Sequence, residues 1–303
     1  YLAIALFTLS TVTVACSHSA TGTPSVPATV VGTASDRAAE SLVFDGNRAY
    51  ESVVNQIALG PRISGTMPNT QLGDQILAQL SQNGWLTQTQ IFTYHNTLVR
   101  NIIGTRGSGA GIILGAHYDT RRRADRDSQH PDQPVPGADD GASGVAVLLE
   151  LSRVLPVSNS GHSISLVFFD AEDNGELDGW DWLVGSRYYA NILTVTPTAV
   201  VILDMIGDMQ QDIYLESNST PALRNSIWTV AKNMGYEPFF IPKVKWNMTD
   251  DHTPFLERGW PAVDIIDFDY SYWHTTQDTP DKISSESLTR VGKTLQVWLE
   301  LNR

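Results

Sequence analysis

Five segments of this chain place histidine or acidic residues where an apolar run stops. They are Gly-Ala-His117-Tyr-Asp119-Thr, Gly-Ala-Asp139-Asp140-Gly-Ala-Ser-Gly, Phe-Asp-Ala-Glu172-Asp173, Leu-Asp204-Met-Ile-Gly and Trp273-His274-Thr-Thr-Gln-Asp278-Thr. A strand that ends in such a residue presents it to the crevice at a sheet's carboxyl edge. Imidazole and carboxylate together suit zinc. The set points to one metal site, and to hydrolase chemistry or a relative of it.

Each motif has a metal role and a plainer one. His117 and Asp119 are two apart and project to the same side of an extended strand end. Asp119 can then take one ring nitrogen while the other faces metal; otherwise the two form a surface pair. Asp139-Asp140 opens a helix after Pro136-Gly137. One carboxylate can face the metal while the other caps the helix. Adjacent carboxylates at a strand end, Glu172 and Asp173, point different ways. One can ligate while the other stays free as a general base or acid, or the run 170–178 (DAEDNGELD) is a solvated acidic turn. Asp204 interrupts an apolar strand and needs a metal or a hydrogen-bonded partner there. Asp250-Asp251-His252 opens a helix, with Asp251 a cap or a site residue. His274 follows a loop carrying Asp267, Asp269, Tyr270 and Tyr272, so Trp273 and Tyr272 line a pocket or simply pack that loop.

The elements that would position these residues follow from periodicity. Residues 45–58 and 69–83 space their apolar positions as helices do. Residues 87–94 and 98–104 read as strands. Short apolar runs at 112–116, 163–169, 199–203 and 262–266 alternate with helical segments at 141–155, 181–193, 220–233 and 284–300. That alternation predicts a single α/β domain with a mostly parallel mixed central sheet covered by helices on both faces.

The chain has 303 residues, 42% hydrophobic and 17% charged, enough for one large core. Its net charge of −13 argues against nucleic acid, whose phosphates need a basic face. Residues 1–15 form an apolar stretch like the core of an export signal, followed by Cys16, the only cysteine. Val14-Ala15-Cys16 resembles a bacterial lipoprotein cleavage site, although Thr13 stands where such sites prefer leucine. Segment 1–16 is therefore read as a signal remnant, 17–38 as a Ser/Thr/Pro-rich flexible tether, and 39–303 as the catalytic domain. An exported monomer is expected, either secreted or anchored to the cell envelope through Cys16, with no other membrane insertion. Asn218-Ser-Thr and Asn247-Met-Thr match glycosylation sequons that stay silent in a bacterial exporter.

From Leu59-Gly-Pro-Arg-Ile-Ser-Gly to the C-terminus, the motifs resemble the zinc aminopeptidases and their relatives, the glutaminyl cyclases. The resemblance implies a zinc-exopeptidase-like sandwich. His117, Asp140, Asp173, Asp204 and His274 match its metal positions, and Glu172 its general base. Asp119 and Asp139 match residues standing behind the ligands. Glu172-Asp-Asn-Gly175, the inserted Gly179-Trp-Asp-Trp182 loop, the run from Asp250 to Gly259 and Trp273 beside His274 are similar to glutaminyl cyclases. Asp139-Asp140-Gly and His274-Thr-Thr-Gln-Asp-Thr are more peptidase-like, and Asp269 stands where vertebrate cyclases have an aromatic residue.

The cyclase alternative, which is favoured, implies one zinc on Asp140, Asp173 and His274. Glu172 would carry a proton from the α-amino group of an N-terminal glutamine to departing ammonia. Asp204 and Asp251 would form the network around it, Trp273, Trp180 and Trp182 would wall the pocket, and peptide or protein N-termini would be the substrates. The aminopeptidase alternative implies two zincs, the second on His117 and Asp204 with Asp140 bridging. An exported binding protein with a decayed metal site is the third possibility.

Overall fold

Strands form where β-branched and aliphatic residues run together, and helices where the apolar period lengthens. The computed structural model describes residues 43–109, 111–155 and 163–302. The leader-like segment 1–16 with Cys16, and the tether 17–38, lie outside the described residues.

Two helices come first, α1 (Gly46–Ile57) and α2 (Met67–Gln82). The Asp45 side chain caps α1 by accepting from the Asn47 N–H at 2.9 Å. Strands β1 (Leu86–Tyr94) and β2 (Thr97–Arg106) pair antiparallel. His95 and Asn96 join them with φ of 45° and 62°, as a tight two-residue hairpin turn requires. Then follow β3 (Gly111–His117), α3 (Ala142–Val154), β4 (Ser163–Phe169), α4 (Val184–Ile192) and β5 (Ala199–Asp204). The remainder is β6 (Ile213–Leu215), α5 (Pro221–Asn233), β7 (Phe240–Val244), α6 (Thr253–Leu256), β8 (Ala262–Ile266) and α7 (Ser285–Leu301).

The main sheet runs β1-β2-β4-β3-β5-β8. Strands β4, β3, β5 and β8 are parallel, and the hairpin extends the sheet antiparallel at one edge. The predicted mostly parallel mixed sheet is therefore present. Helices α1, α2, α3, α5 and α7 build the larger apolar layer on one face, while α4 and α6 cover the other. No described helix is long and apolar enough to cross a membrane.

Alternation along the strands sorts their side chains. Ile112, Leu114, Ala116, Val201, Leu203, Val263 and Ile265 enter the larger layer, whereas Ile113, Val200, Ile202 and Ala262 pack under α4 and α6. His117, Asp204 and Asp264 share the parity of this second set. After β3 the chain places β4 on one side of it and β5 on the other, so the loops part above β3 and leave a crevice.

The small parallel pair β6–β7 was not anticipated. Three residues are too few to show a period, and Pro242 in mid-strand argues against a strand. Helix α4 begins three residues later than expected, because residues 181–183 belong to the preceding tryptophan loop.

Candidate metal centre and active site

The four parallel strands deliver their loops to one edge. His117 is the last residue of β3 and Asp204 the last of β5. Asp140 precedes α3, Glu172 and Asp173 lie in the turn after β4, and His274 follows β8. His117 Nε2 stands 3.2 Å from Asp140 Oδ1 and 3.2 Å from Asp204 Oδ1. His274 Nε2 stands 3.0 Å from Asp173 Oδ1 and 3.6 Å from Asp140 Oδ2. These buried atoms form two overlapping groups that can hold a metal ion, His117–Asp140–Asp204 and Asp140–Asp173–His274. Two donors each about 2.0–2.1 Å from one tetrahedral zinc stand about 3.3–3.4 Å apart, which suits these spacings. Asp140 Oδ2 and Asp173 Oδ2 have no hydrogen-bond partner, as expected of lone pairs kept for a cation.

Electrostatics divide the acids. Burial lifts Asp204 to about 8, and the Asp250 charge adds to it. Burial and Asp140 lift Asp173 to about 6. Asp140 goes the other way: burial would raise it, but His117, His274 and Arg121 hold it below the usual carboxylate range. Glu172 is pushed well above its usual range by burial and by the charges of Asp173, Asp251 and Asp250, against the pull of His117. Glu172 therefore holds a proton readily beside the donor cluster without being drawn into either group of donors.

Asp119 stands beside His117 and has a second task as well. Its oxygens accept from the N–H groups of Glu172 at 3.0 Å and Asp173 at 3.2 Å, while His117 Nδ1 stays 3.7 Å away and unpartnered. It anchors the acidic turn. Neither Asp139 nor Asp140 caps α3, whose N-cap is Gly141 at φ 93° with no side-chain cap bond. A Cβ at Gly141 would meet the Asp119 carbonyl oxygen at 2.9 Å and the His117 ring at 3.2 Å, so the approach itself needs glycine. Asp139 instead accepts from the Gly207 N–H at 2.6 Å, tying the start of α3 to the end of β5. Asp278 accepts from the N–H groups of Asp139 at 2.8 Å and Asp140 at 3.2 Å, and from the Tyr270 hydroxyl at 2.7 Å.

A cavity of about 210 Å³ opens beside Glu172, walled by Trp182, Trp273, Phe268, Met248 and Asp250. The Trp182 ring lies parallel to His274 within 8°, centroids 6.1 Å apart, and Trp273 stacks on His274 at 3.9 Å. Trp180 does not line this cavity. It packs with Val99, Ala171 and Val184 in a separate small core, under the Arg122 guanidinium. Asp251 lies fully buried behind the wall with both oxygens unpartnered. Asp250, which the sequence analysis passed over in favour of its neighbour Asp251, lines the cavity. Asp125 was also missed: its Oδ1 lies 3.5 Å from His274 Nδ1.

The mostly parallel α/β sandwich is shared with solved glutaminyl cyclases and zinc exopeptidases. The chain belongs to peptidase family M28, whose model matches residues 101–299. The glutaminyl cyclase of Porphyromonas gingivalis superposes with a TM-score of 0.81 at 34% identity, covering 86% of this chain and 99% of that one. A Zn-dependent exopeptidase from Parabacteroides distasonis superposes with a TM-score of 0.79 at 31% identity, covering 87% and 100%. Bovine glutaminyl-peptide cyclotransferase is 26% identical over 266 residues, 73% of this chain and 72% of that protein.

Proposed function

We propose that this protein is a zinc-dependent glutaminyl-peptide cyclotransferase that converts an N-terminal glutamine to pyroglutamate and releases ammonia. The carrying observation is the indole-walled cavity that ends on Glu172, with Trp182 and Trp273 flanking His274. Such walls hold one side chain folded against its own backbone and exclude water. The likeness to solved bacterial cyclases supports the same reading. Asp140, Asp173 and His274 would hold the zinc, which when bound supplies Lewis-acid polarisation of the side-chain amide carbonyl.

The substrate's neutral α-amino group attacks the carbonyl carbon of its own side-chain amide, and Glu172 takes the proton that the attacking nitrogen gives up. A ring C–N bond forms, the bond to the amide nitrogen breaks, and Glu172 returns the proton to the departing nitrogen, which leaves as ammonia. Burial and the neighbouring acids Asp173, Asp251 and Asp250 keep the Glu172 proton affinity high. Export, with Cys16 as a lipid anchor, is part of this proposal and rests on the apolar run at 1–15.

One observation favours a second reading. Asp140 turns Oδ1 towards His117 and Oδ2 towards His274, as a carboxylate bridging two zincs of an aminopeptidase would. Mass spectrometry of a short Gln-initiated peptide after incubation with the zinc-loaded protein separates the two. Loss of ammonia with the chain length intact supports the cyclase, and loss of the whole first residue overturns it. Zinc content gives an independent check, about one ion per chain against about two.

A further inference from the structure

The loop after β3 grips both sides of the second donor group. Arg121 is buried, and its guanidinium holds Asp125 two-pronged, Nε to Oδ1 at 2.7 Å and Nη2 to Oδ2 at 2.9 Å. Its remaining nitrogen, Nη1, donates to the Asp173 carbonyl at 2.8 Å. The same guanidinium lies 4.8 Å over the Trp182 ring. Asp125, fixed in this way, sets Oδ1 3.5 Å from His274 Nδ1, on the ring edge opposite Asp140 and Asp173.

The backbone is held as well. The Arg126 N–H donates to the His274 carbonyl at 3.2 Å. Asp127 Oδ2 accepts from the Thr276 N–H at 3.1 Å and from the Thr276 hydroxyl. His274 has φ of 56°, a conformation a non-glycine residue keeps only when its surroundings over-determine it. Residues 121–127 supply that determination: three consecutive residues, Asp125 to Asp127, each take hold of the His274–Thr276 segment.

We propose that Asp125 is a positioning residue of the metal centre, held by Arg121, which fixes His274 with its proton on Nδ1 and its Nε2 lone pair towards Asp140 and Asp173. A carboxylate on the far nitrogen of a metal-binding histidine sets the ring's tautomer and orientation and raises its basicity. The inference rests on the Asp140–Asp173–His274 part of the proposed site and is indifferent to whether the enzyme cyclises or hydrolyses.

The test is zinc affinity, measured by competition with a chromogenic chelator, for the wild-type chain, Asp125→Ala and Asp125→Asn. The visible spectrum of the cobalt-substituted proteins is recorded beside it. Asp125→Ala should bind zinc roughly 10- to 100-fold more weakly and change the cobalt bands. Asp125→Asn, which keeps an oxygen able to face Nδ1, should restore part of the affinity, which loss of general stability alone would not arrange. If folded Asp125→Ala binds zinc within twofold of wild type with unchanged cobalt bands, or Asp125→Asn binds no better than Asp125→Ala, the inference is overturned. If the wild-type chain binds no zinc, the metal-site reading itself fails, and the inference with it.

Discussion

Gly175 offers a way to move one wall of the cavity without touching a donor. A Cβ built there would lie 2.0–2.4 Å from three atoms of the Trp182 indole. Ordinary carbon contacts are about 3.5–4.0 Å, so Gly175→Ala requires the ring to retreat by about 1.5 Å. The backbone at Gly175 is not in the left-handed region, so alanine meets no conformational penalty. The retreating ring gives up its parallel alignment with His274 and its place under Arg121. An aromatic pair contributes about 0.5–1.5 kcal/mol and a cation–π contact about 0.5–2 kcal/mol, so about 1–3 kcal/mol is at stake. With a reacting group misplaced by about 1 Å, kcat/KM for a Gln-initiated peptide should fall about 10- to 100-fold at saturating zinc. Steady-state ammonia release measures this, and intrinsic tryptophan fluorescence reports the displaced indole. A double-mutant cycle isolates the cause. In a Trp182→Ala background the same glycine substitution should cost nothing further. An equal loss in both backgrounds, or no loss despite a displaced indole, refutes the argument.

Three further outcomes are expected. Glu172→Gln should keep its zinc and lose about 10²- to 10⁴-fold in kcat, and turnover within threefold of wild type removes its proton-carrying role. In metal-free protein Asp173 and Asp204 titrate at about 6 and about 8, above the unfolded value of about 3.9. Their stability contribution is therefore full below about pH 4 and is lost as pH rises through both values. Zinc held by Asp140, Asp173 and His274 would displace the Asp173 proton, so the Tm difference between zinc-loaded and chelator-treated protein should widen from pH 5 to pH 8, and a constant difference contradicts the assignment. Burial would raise Glu216, but His252, the N–H groups of Asn218 and Met248 and the Ser219 hydroxyl hold it at about 2. Its stabilisation is present above about pH 4.5 and lost as pH falls through 2, so Glu216→Gln should cost about 2–3 kcal/mol at pH 7 and flatten the acid limb of urea-unfolding curves.

The fold was legible because its strands carry no ambiguity. Val-Val-Ile-Leu and Ile-Ile-Leu-Gly-Ala are short, apolar and flanked by helical periods, which only a covered parallel sheet explains. His117 and Asp204 were legible for the same reason, as polar residues ending apolar strands. What failed were choices between neighbours in loops. Of the adjacent acids Asp250 and Asp251 the pattern named only the second, which acts on Glu172, and passed over the first, which lines the cavity. Trp180 and Trp182 lie two apart in a loop without strand geometry, so their spacing does not set their directions, and only Trp182 reaches the cavity. Alternation placed Asp119 beside His117, where it stands 3.7 Å from Nδ1. Its second task, accepting from the N–H groups of Glu172 and Asp173, was invisible in sequence. Asp125 hides in the run Arg-Arg-Arg-Ala-Asp-Arg-Asp, which reads as a solvated charged loop until β8 returns beside it.

Hydrogen bonding distinguishes two acids that hold the site from two of its candidate donors. Asp119 and Asp278 have both oxygens engaged by backbone N–H groups, so their charge is compensated within the protein. Asp140 and Asp173 each leave one oxygen unpartnered, and both face a histidine. The one fully buried arginine in this region, Arg62, is committed to the carbonyls of Pro136 and Gly137, and burial lowers it to about 10. It can temper the field at Asp140 and Asp173 but cannot reach their free lone pairs. Burying unpaired carboxylates costs several kcal/mol each, and only a proton or a cation at those atoms relieves it. The same deficit that suits this cluster to a cation therefore makes the fold's stability depend on what fills it.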